Sequence, residues 1–187
     1  MSRLLVISAS TRSVSAGRPL ARWMAQAAER HDGFEVVPVD LAELALPFLD
    51  EPELPSAGRY VQPKTLEWSA LAGSADAFVF VMPMYNAGFT APLKNALDHL
   101  YAEWKDKPVG LVSYSSGPTG GAPAIEMLRP VLRRLGLVAA EPAMSLPGIA
   151  DRLGPDGSFL ADEAVAEQVS TMLDSVAELV RAVPVTV

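Results

Sequence analysis

Short apolar runs rich in β-branched and aromatic residues recur at positions 4–8, 35–39, 77–82 and 109–113. Between them the apolar residues fall at helical spacing, so strand and helix alternate along the chain. Leu20, Trp23, Met24, Ala27 and Ala28 stand at i, i+3, i+4, i+7 and i+8, which predicts one helix face ending near His31. Leu93, Ala96, Leu97, Leu100 and Tyr101 repeat that spacing, with Pro92 in the first turn, where its missing N–H costs nothing. A third stripe is Ile125, Leu128, Leu132 and Leu135; a last one is Val165, Val169, Met172, Val176, Leu179 and Val180, with Asp162 as its cap. Strands that are apolar throughout need cover on both faces, so the pattern predicts a doubly wound α/β domain with a parallel sheet. A weaker fifth strand is expected between Leu137 and Met144, interrupted by Pro142. Pro130 would cost ~3 kcal/mol inside an unbroken helix, so a kink or a late start is expected there. The stretch 41–63, with Pro47, Pro52, Pro55 and Pro63, reads as an irregular insert serving as a lid or a subunit contact.

Composition narrows the function classes. With 187 residues and 50% hydrophobic content, one globular domain over 1–187 is expected, large enough to bury a core without staples. The absence of cysteine excludes disulfide scaffolds, thiolate-held metals and thiol catalysis, and two histidines cannot fill a zinc site. A net charge of −7 disfavours nucleic acid and anionic membrane surfaces as partners. The run 4–8 is too short for a signal segment, and 77–82 is far below the ~20 residues of a membrane helix. A soluble, cytoplasmic protein is therefore expected. His31 and His99 have no second ligand in spacing and read as surface or capping residues; Trp104 and Tyr101 read as core or subunit contacts.

In open α/β sheets ligands bind beyond the carboxyl ends of the strands, which directs attention to three loops. The first, Ser8 to Arg18, combines hydroxyls, two guanidinia and a helix N-terminus, a cradle for a phosphate or an ordinary polar turn. It contains neither the dinucleotide fingerprint nor the P-loop, so a monophosphate suits it better. Asp40 ends the second strand where an acid would grip an adenosine ribose, but the first loop has the wrong glycines for that site. The second loop, Pro83 to Pro92, sets Tyr85 and Asn86 at a strand end, as a flat heteroaromatic ligand or a tight turn would require. The third, Tyr114 to Gly121, offers bare backbone that a ring can approach, or is simply a flexible glycine loop.

Over residues 4–137 the chain resembles the NADPH-dependent FMN reductases of the flavodoxin-like fold. The segment Pro83-Met84-Tyr85-Asn86 followed by Leu93-Lys94-Asn95-Ala96-Leu97-Asp98 carries the likeness, with Met84 where the family has Glu. Ala9 stands before Ser10 where Gly is common, and Leu46 to Pro52, Glu103-Trp104, Lys107-Pro108, Val112-Ser113-Tyr114 and Gly120-Gly121 match as well. The resemblance implies a flavodoxin-like three-layer sandwich with a five-stranded parallel sheet in the order 2-1-3-4-5. It implies that Ser10, Arg12, Ser15 and Gly17, with Arg18 as a further candidate, hold the FMN phosphate. Pro83, Met84, Tyr85 and Asn86 would flank the ring, and Ser115, Ser116, Gly117 and Gly120 would border its other side. The implied activity transfers hydride from NADPH or NADH to bound FMN and then to a flavin, quinone, azo compound or metal oxyanion, in a homodimer or homotetramer. No side chain need act as acid or base, because the cofactor supplies the chemistry; backbone N–H groups around Gly120 and Gly121 are candidates to stabilise the reduced ring's negative edge. A ligand of roughly thirty heavy atoms at ~0.3 kcal/mol per atom gains ~9 kcal/mol, sub-micromolar binding. The rival readings are a flavodoxin-like electron carrier, which the acidic charge would suit, and a scaffold that has lost its cofactor.

Overall fold

The computed structural model describes residues 1–182. Strand β1 (Ser2–Ser8) is followed by α1 (Gly17–Glu29), β2 (Phe34–Asp40), a short α2 (Leu41–Leu44) and α3 (Pro63–Gly73). Then come β3 (Ala77–Pro83), α4 (Ala91–Asp98), β4 (Pro108–Tyr114), α5 (Ala122–Leu135), β5 (Val138–Ala139), β6 (Met144–Leu146) and α6 (Glu163–Ala182). The sheet runs in the order β2-β1-β3-β4-β5 with every pairing parallel, and β6 also pairs with β4. This is the flavodoxin-like order, and the fifth strand expected from the sequence is split in two. The chain around the cis Glu141–Pro142 bond lies between the two pieces, since a proline has no N–H to donate to a ladder.

Alternation along the strands builds two cores. Leu4, Val6, Val79, Val81 and Val112 meet α1 and α6, while Leu5, Ile7, Phe78, Phe80 and Leu111 meet α3, α4 and α5. All seven residues of β3 and of β4 are buried, as strands covered on both faces must be. Trp68 and Trp104, fully buried, donate their indole N–H groups to Ala96 O and Leu97 O at 2.9 and 3.1 Å, so α4 is locked to α3 and to the turn before β4.

Several expectations are corrected. Helix α5 begins at Ala122 and continues through Pro130 to Leu135. It tolerates the proline because Pro130 and Glu126, whose carbonyl loses its partner, both lie on the exposed face, where water replaces the lost bond. The insert 41–63 is not irregular throughout, since it holds α2 and a 3₁₀ turn over Pro55–Ala57. Helix α3 escapes a reading of apolar periodicity because its buried stripe is only Thr65, Trp68 and Ala72, while Leu66 faces outward. His99 is a cap at the end of α4 but no surface residue: it is wholly buried, with Nδ1 2.9 Å from Asn95 O. Asp162 does cap α6, accepting from Val165 N–H at 2.9 Å.

Candidate functional site

The loops after β1, β3 and β4 leave the same edge of the sheet because the strands are parallel, and backbone bonds stitch them together. Ala9 N–H donates to Val81 O at 2.9 Å, and Met84 N–H donates to Tyr114 O at 3.0 Å. Thr90 is the tie that sequence reasoning missed. Its buried hydroxyl donates to Ala9 O at 2.9 Å and accepts from Leu93 N–H at 3.3 Å, so one side chain caps α4 and fixes the start of the first loop. The available signal was Thr90-Ala91-Pro92, a cap residue followed by a first-turn proline.

Around the first loop the predicted phosphate residues converge. Ser10 is buried, Arg12 is exposed, and Ser15 accepts from Gly17 N–H at 3.1 Å. Ala16, which precedes α1, supplies no capping side chain, and the first turn of the helix carries no acid. Hydroxyls, a guanidinium and an open helix N-terminus form a set of donors that matches a phosphate monoester and would repel little of its charge. Gly17 has a reason of its own for lacking a side chain: a Cβ there would stand 2.1 Å from the Tyr114 hydroxyl. Arg18 turns away from this cluster. Its Nε donates to Asp40 Oδ2 at 2.6 Å and its Nη1 to the carbonyls of Arg12 and Ser13 at 2.9 and 3.0 Å. Asp40 also accepts from Ala42 N–H at 2.9 Å, so the pair braces the loop from the end of β2.

The second loop is a tight reversal. Tyr85 and Gly88 exchange both backbone bonds at 2.9 Å, with Asn86 and Ala87 at φ of 51° and 65°. Asn tolerates that left-handed conformation, and alanine is strained in it. Pro83 is buried, Met84 half-buried, and Tyr85 and Asn86 are exposed at the rim. In the third loop Ser115, Ser116 and Gly117 are at least partly open, whereas Gly120 is buried. A Cβ on Gly120 would come within 2.7 Å of Leu146 N and Ser145 C, so that glycine is required by the approach of β6. Gly120 N–H is engaged by Gly117 O at 3.3 Å, and Ser113 Oγ donates to Gly120 O at 3.0 Å. The Gly120 amide is therefore already paired within its own loop.

Tyr114, at the end of β4, joins the first two loops. Burial pushes its phenol pKa up; the Ser15 and Ser10 hydroxyls and the Arg12 charge work against that rise, and Tyr85 adds to it. Beside the first loop lies a largely apolar cavity of about 360 Å³, lined by Thr11, Leu41, Leu46, Phe48, Pro92 and Asn95 among others. Asn95 closes its outer wall, donating to Pro47 O at 2.8 Å and accepting from Leu49 N–H at 3.1 Å. The far side of the insert is held by Glu51, which accepts from Val61 and Gln62 N–H, and by Tyr60, which donates to Glu103 at 3.0 Å.

Comparison with known proteins identifies the family and the fold. The family model described as NADPH-dependent FMN reductase matches residues 2–151. An NAD(P)H-dependent FMN reductase of Schizosaccharomyces pombe is 42% identical over 149 residues, covering 78% of this chain and 74% of the yeast protein. One from Saccharomyces cerevisiae is 34% identical over 147 residues, covering 75% and 72%. Among solved structures, the flavoenzyme NAD(P)H:(acceptor) oxidoreductase of Paracoccus denitrificans superposes with a TM-score of 0.79 at 23% identity, covering 97% of this chain and 98% of its own; that likeness speaks to the fold. From the match across most of its length and the identity to curated relatives, the chain belongs to the NADPH-dependent FMN reductase family.

Proposed function

We propose that this protein is an FMN-dependent NAD(P)H oxidoreductase that delivers reducing equivalents to a small-molecule acceptor, whether a free flavin, a quinone, an azo compound or a metal oxyanion. The observation that supports the reading most is the cluster of Ser10, Ser15 and Arg12 around the N-terminus of α1, one residue away from the ring-side loop through Tyr114. Bound FMN supplies hydride acceptance from the nicotinamide. The chain's own residues bind and orient. Arg12 and the two serines offer charge and hydroxyls to the phosphate, while Arg18 contributes from behind by holding the loop carbonyls. Pro83, Met84, Tyr85 and Asn86 border one side of the ring position, and Ser115, Ser116, Gly117 and Gly120 the other.

The whole chain, 1–187, acts as one flavodoxin-like domain in the cytoplasm; among the described residues no helix is long and apolar enough to cross a membrane. Exposed Phe48, Leu54 and Val61 on the insert favour assembly as a homodimer or homotetramer. Azo compounds deserve an early place among the acceptors tried, because an FMN-dependent NADPH-azoreductase of Staphylococcus saprophyticus is 29% identical over 182 residues. The test mixes the protein with FMN, removes unbound flavin by gel filtration, records the absorption of the protein fraction, and then adds NADPH and NADH separately under each acceptor. A visible flavin band that bleaches with nicotinamide and returns with acceptor supports the oxidoreductase. A band that never bleaches would convert the protein into an electron carrier, and no band at all would sink the flavin reading.

A further inference from the structure

Tyr114 is 5% exposed and lies at the end of the inner strand β4, where its two halves serve different loops. The main chain is paired with Pro83 in the ladder, and its carbonyl accepts from Met84 N–H, so it sets where the ring-side loop begins. The side chain points to the α1 face of the sheet and ends against Gly17, in the phosphate cluster. No other side chain than hydrogen at position 17 permits this, since the phenol oxygen and Cζ would meet a Cβ at 2.1 and 2.8 Å. A purely packing role would be served better by phenylalanine, because a buried hydroxyl without a full set of partners is a cost. Here the hydroxyl is carried to the start of α1, where Ser10 and Ser15 flank it.

We propose that the Tyr114 hydroxyl is a donor to the cofactor phosphate from the floor of the cradle, and that the same residue fixes the spacing between the phosphate cluster and the ring-side loop. The proposal rests on the FMN reading above and adds a residue to it. Neutral phenol is the form that donates; an ordinary phenol is neutral at physiological pH, and burial pushes its pKa further up. Gly17, in this view, serves the phosphate indirectly by making room for the phenol.

The experiment titrates wild type and Tyr114→Phe with FMN and, separately, with riboflavin, which has the ring but no phosphate. Loss of a hydrogen bond to a charged phosphate should weaken FMN binding about tenfold while leaving riboflavin binding within about twofold. Equal loss for both ligands, or no loss, overturns the phosphate role. If wild type itself fails to prefer FMN over riboflavin, the FMN reading falls and takes this proposal with it, an outcome separable from failure of the variant alone. Melting without ligand checks that the variant folds. Gly17→Ala provides a second arm, because its methyl group would displace the phenol: it should show the same selective loss for FMN, and unchanged selectivity would overturn the assignment.

Discussion

The phosphate-side loop and the ring-side loop leave adjacent strands at the same sheet edge, yet they are held by opposite means. Residues 9–16 are positioned by side chains outside the loop: Thr90 binds Ala9 O across 81 positions, and Arg18, anchored on Asp40 at the end of β2, gathers the Arg12 and Ser13 carbonyls. The reversal Tyr85–Gly88 holds itself, through two backbone bonds between its ends. The lesson is that a loop rich in small polar residues has little local preference and must borrow rigidity, whereas a turn with left-handed positions carries its shape in its own sequence.

The largest effect should come from the charge that the borrowed rigidity presents. Arg12→Ala is expected to weaken FMN about 10- to 100-fold in a fluorescence titration, with melting in the absence of flavin little changed. Were the apoprotein to lose stability instead, Arg12 would belong to the scaffold. Next, Thr90→Val removes the α4 cap and strands the Ala9 carbonyl, at a cost of ~2 kcal/mol in denaturant unfolding. FMN affinity should fall with it, and a ligand affinity that survived would mean that the phosphate loop does not depend on its distant tie. Arg18→Met leaves Asp40 as a cap for α2 but frees the loop carbonyls; a loss of ~1 kcal/mol, roughly fivefold, in FMN affinity is expected from the looser loop. On the other side, Ala87→Gly relieves left-handed strain of ~1–2 kcal/mol and gives back part of it as unfolded-chain entropy, a net gain under ~1 kcal/mol. Phosphate-dependent affinity should not move, and if it did, the two loops would be coupled more tightly than their bonding suggests.

The smallest effect lies at high pH. Burial raises the Tyr114 and Tyr60 phenols above 10.0, so each contributes stability that is complete below pH 10 and is lost as pH climbs toward its folded pKa. Tyr114→Phe should therefore flatten part of the alkaline decline in melting temperature, and an unaltered slope would contradict a buried neutral phenol.

Strand and helix alternation, the parallel sheet and the three ligand-side loops were legible in the sequence, because apolar runs of strand length between stripes at helical spacing admit few architectures. Asp162 as a cap was legible for the same local reason. For the loop 83–92 the sequence left a ligand wall and a tight turn open, and a reversal exists there at Tyr85–Gly88, but α3 was hidden, since three buried positions spread over eleven residues make too thin a stripe. The site shows a finer division. Ser10, Arg12, Ser15 and Gly17 could be named as neighbours from one continuous segment, whereas the hydroxyl of Thr90 reaches Ala9, and that of Tyr114 reaches Gly17, only after β3 is laid beside β1 and β4 beside β3.

Side-chain type and spacing along 187 residues thus dictated the layers, their order of appearance and which loops would carry polar groups, since those follow from local burial and backbone preference. Why Gly17 and Gly120 are glycines, why Arg18 faces Asp40, and where the Tyr114 phenol ends were settled by the folded packing. Each depends on a contact between segments far apart in the chain, a Cβ against a phenol or against the β6 backbone, and no spacing within one segment encodes such a distance.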